Sequence, residues 1–285
     1  TALEERVDEA LTQREIATAA DLSVGTVNRA MADLHERGFV REGMLSAAGL
    51  EALEPYRVKR AVLIAAGFGS RLVPITLNTP KPLIRVQGRR IIDSLLDAVY
   101  AAGIEEVYVV RGYLAEQFDQ LLYKYPGLKF IENPFYNEAN NISSAVAAKD
   151  LLQNAYVFES DLLLYNPKLI TKYQYSSNYL GVPVQVTDDW CFQTRRGVIT
   201  GLSVGGTDCH HMFGISYWTE EDGRKLADDV PATFAMPGGK ERYWDEVALR
   251  YFARNYEVVV RECTFDDVIE IDTYRELQEL DKAYV

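Results

Sequence analysis

From Arg60 to Asp161 the chain alternates short apolar runs with amphipathic segments, and this alternation constrains the fold more than any single motif. "AVLIAAG", "EEVYVVRG", "LKFIEN" and "AYVFESD" read as strands, whereas "IIDSLLDAVYAAG", "AEQFDQLLYKY" and "NISSAVAAKDLL" read as helices. Strands joined through helical crossovers pair in parallel. From about Tyr179 to Trp218 the pattern changes to strands and tight turns, with "RRG" and "VGGTD" as breaks, which predicts an antiparallel insertion. Two closing helices, near Tyr243–Arg254 and Thr273–Ala283, are expected on either side of the strand "YEVVVREC". With 285 residues, 48% of them hydrophobic, the chain can bury one large core and a small second one.

The small one comes first. "TQREIATAADLSVGTVNRAMADLHERGFVREGMLS" opens with a capping-box pattern at Thr12 and Glu15, turns at Asp21-Leu22 and restarts at Ser23 as a second N-cap. Val24, Val27, Met31 and Leu34 then recur at helical spacing, Gly38 marks a stop, and "FVREGML" predicts a wing hairpin followed by the helix-like "SAAGLEALEPY". This segment resembles the winged helix of MarR-like and other bacterial regulators. The expected boundaries are 1–57 for this domain and 58–285 for the large one. DNA reading and simple packing or dimerisation are both open, and charge favours packing. Residues 1–57 carry six Arg and no Lys against eleven acidic residues, a net of −5, whereas DNA affinity rests on neutralised phosphates.

The whole chain is also acidic, at −12, so any polyanion it binds must be held by local positive charge. Cys191, Cys209 and Cys263 are odd in number and lack CxxC spacing, which argues against a disulfide framework or a structural zinc site. No charged-then-apolar leader and no long apolar run is read, so a cytoplasmic location without membrane insertion is expected.

The first strand of the alternation ends in "LIAAGFGSRLVPITLNTPKPL". Glycines at a strand's carboxyl end let backbone N–H groups approach a phosphate chain, and Arg71 and Lys81 supply the charge that the chain lacks overall. Neither a Walker A loop nor a dinucleotide fingerprint fits, since Leu72 stands where the third glycine belongs. The pattern A-A-G-x-G-S-R, then Pro74, Thr76, Pro80 and Lys81, resembles the signature of nucleotidyltransferases that make sugar nucleotides and activated head groups. Over most of Ala61–Val285 the similarity is nearest to the bacterial CTP:phosphocholine cytidylyltransferases. The fold it implies is α/β, with a mostly parallel, Rossmann-like nucleotidyltransferase sheet and an antiparallel insertion.

The resemblance also implies a site. Arg71 and Lys81 would serve catalysis, and Ala65, Ala66, Gly67, Phe68, Gly69 and Ser70 would surround the nucleotide, with Gly112 and Tyr113 near the base. Asn141 and Ser144, from an Asn-Asn-x-x-Ser element, would lie near the nucleotide as well. Asp161 in "ESD" and Asp272 in "IEIDT" would be ligands for Mg²⁺, with Glu270 a helper and Glu159 unassigned. Thr273 with Glu276 can cap the last helix, leaving Asp272 free. "DDWCF" and "ERYWDEV" match places with aromatic and acidic residues around choline, so Trp190, Tyr243, Trp244 and Asp245 are the expected cage.

The implied reaction joins CTP and phosphocholine into CDP-choline and pyrophosphate, by positioning and charge neutralisation rather than by a protein nucleophile. Phosphoethanolamine, 2-aminoethylphosphonate and, less readily, a sugar 1-phosphate remain open as acceptors, as does a homodimer. The reading from another class is a winged-helix regulator that senses a nucleotide or choline metabolite. His210-His211 offers no metal pair, because neighbours in a strand face opposite ways.

Overall fold

The computed structural model describes residues 11–20 and 22–285. The chain divides into two compact units, Thr1–Arg57 and Val58–Val285. In the first, α1 (Gln13–Ala19) starts under a reciprocal capping box between Thr12 and Glu15, and α2 (Val24–Glu36) starts at the Ser23 cap. Asp21 of the anticipated turn lies outside the described residues. Val27 and Met31 of α2 bury against Ile16, Ala17 and Val40, whereas Val24 is exposed. β1 (Val40–Arg41) and β2 (Met44–Leu45) pair as the wing, and α3 (Ala47–Leu53) follows.

The second unit is built on one seven-stranded sheet. β3 (Arg60–Ile64) is an inner strand, and Ala61, Val62 and Leu63 are fully buried because both faces are covered. A small hairpin of β4 (Arg85–Val86) and β5 (Arg89–Arg90) leads into α4 (Ile91–Ala101), which lays Ile92, Leu95, Leu96 and Val99 on the sheet. β6 (Glu106–Arg111), β7 (Lys129–Glu132), α5 (Ile142–Ala147) and β8 (Ala155–Glu159) complete the alternation, and the parallel strands stand in the order β8-β3-β6-β7. β9 (Leu162–Leu164) leaves the sheet. The anticipated helix "AEQFDQLLYKY" is instead a 3-10 helix over Ala115–Tyr123.

The insertion is a long antiparallel hairpin, β10 (Asn178–Arg195) and β11 (Val198–Trp218), turning at "RRG". "VGGTD" is not a break but lies within β11. Pairing jumps there from Thr187↔Gly206 to Trp190↔Val204, so β10 bulges at Asp188-Asp189. Bulges re-aim side chains beside active sites, and this one precedes Trp190. α6 (Glu220–Ala235), the longest helix among the described residues, is absent from the sequence reading and holds Pro231 in its interior. Its signal was the Thr219 cap followed by Glu220, Glu221 and Asp222, whose charges suit a helix N-terminus. The anticipated helix at Tyr243–Arg254 resolves into a π turn, Val247–Tyr251, and a 3-10 turn. β12 (Val259–Glu262) joins the sheet beside β10, β13 (Val268–Glu270) pairs with β9, and α7 (Tyr274–Leu280) closes the chain.

Candidate active site

One cavity of about 570 Å³ opens at the carboxyl ends of β3 and β8. That is where ligands bind in open α/β sheets. Gly69 takes the left-handed conformation (φ +66°), and a Cβ there would stand 3.1 Å from Lys81 Cβ, so the loop folds directly onto the lysine. Thr76 Oγ1 donates to Gly69 O at 2.9 Å and holds that turn.

Asp161 and Asp272 are remote in sequence and meet because β13 pairs with β9, with Ile271 N–H donating to Asp161 O at 3.2 Å. The last helix is capped by Thr273 with Glu276, which leaves the Asp272 carboxylate to face the cavity. Lys81, 8% exposed, places Nζ 2.9 Å from Asp161 Oδ2 and 3.1 Å from Asp272 Oδ1. Burial pulls its ammonium pKa down, but the two carboxylates outweigh that and hold it above the ordinary value. Arg71 grips Asp272 with both Nη atoms, at 2.8 and 2.6 Å. Glu270 completes a trio in which one carboxylate oxygen from each residue lies within 4.8 Å of the other two. Burial, then the Asp161 and Asp272 charges, raise the Glu270 carboxyl well above its usual range. Asp161 Oδ1 is buried with no protein partner, so hard oxygen donors stand ready for a divalent cation.

At the other end of the cavity Trp190 meets Tyr243 edge-on, with ring centroids 5.5 Å apart. Asp189, Asp245 and Glu246 line the cavity as well, and Glu246 is held by an ion pair with Arg250 and by the Tyr243 N–H. Burial pushes the Asp245 carboxyl up to about 7, against the pull of a hydrogen bond from the Tyr179 hydroxyl. Glu159, in the wall between the two ends, is raised well above its usual range by burial and then by the Asp245 and Asp161 charges.

The description "Nucleotidyl transferase" matches residues 60–178, and "Winged helix-turn-helix DNA-binding" matches residues 3–41. A 2-aminoethylphosphonate cytidylyltransferase of Lancefieldella rimae is 35% identical over 229 residues, covering 79% of this chain and 93% of that one. The chain belongs to the nucleotidyltransferase family. The choline-phosphate cytidylyltransferase of Streptococcus pneumoniae is 28% identical, covering 78% of the present nucleotidyltransferase and 97% of the relative. The solved structure of the CTP:phosphocholine cytidylyltransferase from that organism superposes with a TM-score of 0.74, at 28% identity, over 80% of this chain and all of that one.

Of the residues anticipated for this nucleotidyltransferase, the fold brings Ala65, Gly67, Gly69, Ser70, Arg71, Lys81, Asn141, Asp161, Trp190, Tyr243, Asp245, Glu270 and Asp272 to the cavity. Ala66, Phe68, Gly112, Tyr113, Ser144 and Trp244 do not line it. Tyr113 stacks on Phe68 with centroids 4.3 Å apart and donates its hydroxyl to Thr76 O at 2.8 Å, so it braces the loop from outside. Gly112 lies against Tyr136, and Ser144 Oγ accepts from Asn133 Nδ2 at 3.0 Å. Trp244 is 2% exposed and packs on Trp218 and Tyr179, at centroid distances of 5.9 and 6.3 Å, so its ring is core rather than cage. Sequence reasoning left Asp189, Glu159 and Glu246 without roles, although all three stand inside or beside quoted motifs. His210 and His211 turn to Glu262 and Thr187, each at 3.2 Å, and do not converge.

Proposed function

We propose that this enzyme transfers CMP from CTP to a small phosphonate or phosphate that carries an amine, with 2-aminoethylphosphonate used in preference to phosphocholine. An acceptor oxygen attacks the α-phosphorus of CTP. The new P–O bond forms as the bond to the β-phosphate oxygen breaks, and its electron pair leaves on pyrophosphate. The chain's own groups position and neutralise: the loop's backbone N–H groups with Arg71 and Lys81 hold the phosphates, and Trp190, Tyr243 and Asp245 hold the amine. Asp161 and Asp272, with Glu270 beside them, suit Mg²⁺, which when bound offsets phosphate charge. No protein nucleophile takes part.

One observation carries the choice of acceptor. With Trp244 withdrawn into the core, the amine end combines the Trp190–Tyr243 ring pair with the carboxyl groups of Asp189 and Asp245, while Glu246 is spent on Arg250 and the Tyr243 N–H. A primary ammonium donates hydrogen bonds to carboxylates, and a trimethylammonium cannot. Hydrogen bonds to charged groups are worth about 1.5–3 kcal/mol, so kcat/KM for 2-aminoethylphosphonate should exceed that for phosphocholine roughly tenfold or more. Phosphoethanolamine should rank with the phosphonate. Steady-state rates of pyrophosphate release across this panel test the assignment, and a preference for phosphocholine would reverse it. Nonspecific DNA binding is no part of the proposal, since residues 1–57 carry a net of −5.

A further inference from the structure

The stretch 243–246, which presents Tyr243, Asp245 and Glu246 to the cavity, precedes the π turn that starts at Val247. Two asparagines at the start of α5 hold it in place. Asn141 commits both ends of its amide: Nδ2 donates to Glu159 Oε1 at 2.9 Å, and Oδ1 accepts the Trp244 N–H at 2.9 Å. Asn140 binds the preceding residues, its N–H donating to Lys240 O at 2.7 Å and its Nδ2 to Glu241 O at 3.2 Å. Asn140 Oδ1 in turn accepts the Asn141 N–H at 2.7 Å, which orients one asparagine on the other. Asn133 Nδ2 donates to Ser143 Oγ at 2.9 Å and Ser144 Oγ at 3.0 Å, fixing the start of the helix from behind.

We propose that Asn141 is a positioning residue for the acceptor, setting the 243–246 wall by bonding Trp244 and Glu159 at once. This rests on the reading of that wall as the amine site. Few side chains could replace it. A carboxamide carries a donor and an acceptor on one short planar group. Aspartate could still accept from Trp244 but has no N–H to give Glu159 Oε1, and alanine leaves the Trp244 N–H without its partner. The far anchor is rigid, since Glu159 lies over Gly214, where a Cβ would come within 2.6 Å of Glu159 Cγ. Pinning the N–H of residue 244 locates Tyr243 and Asp245 together, because they are its chain neighbours. A nucleotide contact by Asn141, as the family resemblance implies, would act on CTP instead.

Asn141→Ala and Asn141→Asp, made in the full chain, separate the two roles. The acceptor KM should rise about tenfold, the scale of losing one or two hydrogen bonds, while the CTP KM stays within roughly twofold. Amide hydrogen exchange over residues 240–247, measured without substrates, should speed up in both variants. In Glu159→Gln, which keeps the Oε1 acceptor, it should match the wild type. The melting temperature is followed alongside, and the isosteric aspartate variant guards against collapse of the alanine one. A raised CTP KM with an unchanged acceptor KM, or wild-type exchange over 240–247 in both Asn141 variants, would overturn the proposal. Because the exchange measurement needs no turnover, an inactive wild type would sink the functional reading and still leave the brace to be judged.

Discussion

Lys81→Ala should lower kcat by about 10²-fold or more, the scale seen when one preorganised charge-stabilising group is removed from an active site. Lys81 is buried, and its Nζ bridges Asp161 and Asp272 at 2.9 and 3.1 Å. It is therefore fixed in place, in our proposal beside the phosphates, and no flexible surface lysine can stand in for it. The acceptor KM should change far less, since the amine end lies with Trp190 and Tyr243. Asp161→Asn and Asp272→Asn should each impair metal-dependent turnover as well. Rate measurements on all three, with melting curves to exclude unfolding, check this. Near wild-type turnover in the three would show that the chemistry lies elsewhere.

Trp244→Ala should lower the melting temperature by roughly 10 °C, because truncating a core Trp costs about 3–5 kcal/mol and each kcal/mol shifts a unit of this size by about 2–4 °C. Trp244 packs on Trp218 and Tyr179 and is fully covered, so any loss of acceptor binding should come together with the lost stability. Trp190→Ala should behave in the opposite way. Its ring meets Tyr243 at the cavity, and a desolvated cation over an aromatic face gains on the order of 2 kcal/mol, so acceptor use should weaken roughly 30-fold. CTP binding and melting temperature should then hold. Separate titrations of the two ligands, with melting curves, decide the matter. A Trp244→Ala protein that melts normally and loses only the acceptor would return that ring to the cage.

The contrast between these two tryptophans shows how far the sequence could be read. Both stand in aromatic-acidic clusters, and periodicity cannot tell which faces inward where a bulge precedes Trp190 and only a π turn follows Trp244. The metal-side residues were legible for a different reason. Gly69, Arg71 and Lys81 lie in one loop, and Asp161 and Asp272 end or follow short strands, so local pattern was enough to mark them. What joins them, the pairing of β9 with β13, is a tertiary contact with no local signature. The roles of Tyr113 and Ser144 were hidden likewise: Tyr113 donates to the loop it braces, and Ser144 accepts from Asn133. α6 has no counterpart in the sequence reading, although its Thr219 cap and acidic first turn are local signals.

Phosphorus-31 NMR of the purified protein with CTP, 2-aminoethylphosphonate and Mg²⁺ tests whether this cavity joins a cytidylyl group to an amine-bearing phosphonate, as we propose. Pyrophosphate and a phosphonate–phosphate anhydride should form in equal amounts, with both signals absent when EDTA is present and CTP favoured over the other three nucleotides. Inorganic phosphate alone, or no change with any nucleotide and any phosphorylated or phosphonate amine, would contradict the proposal.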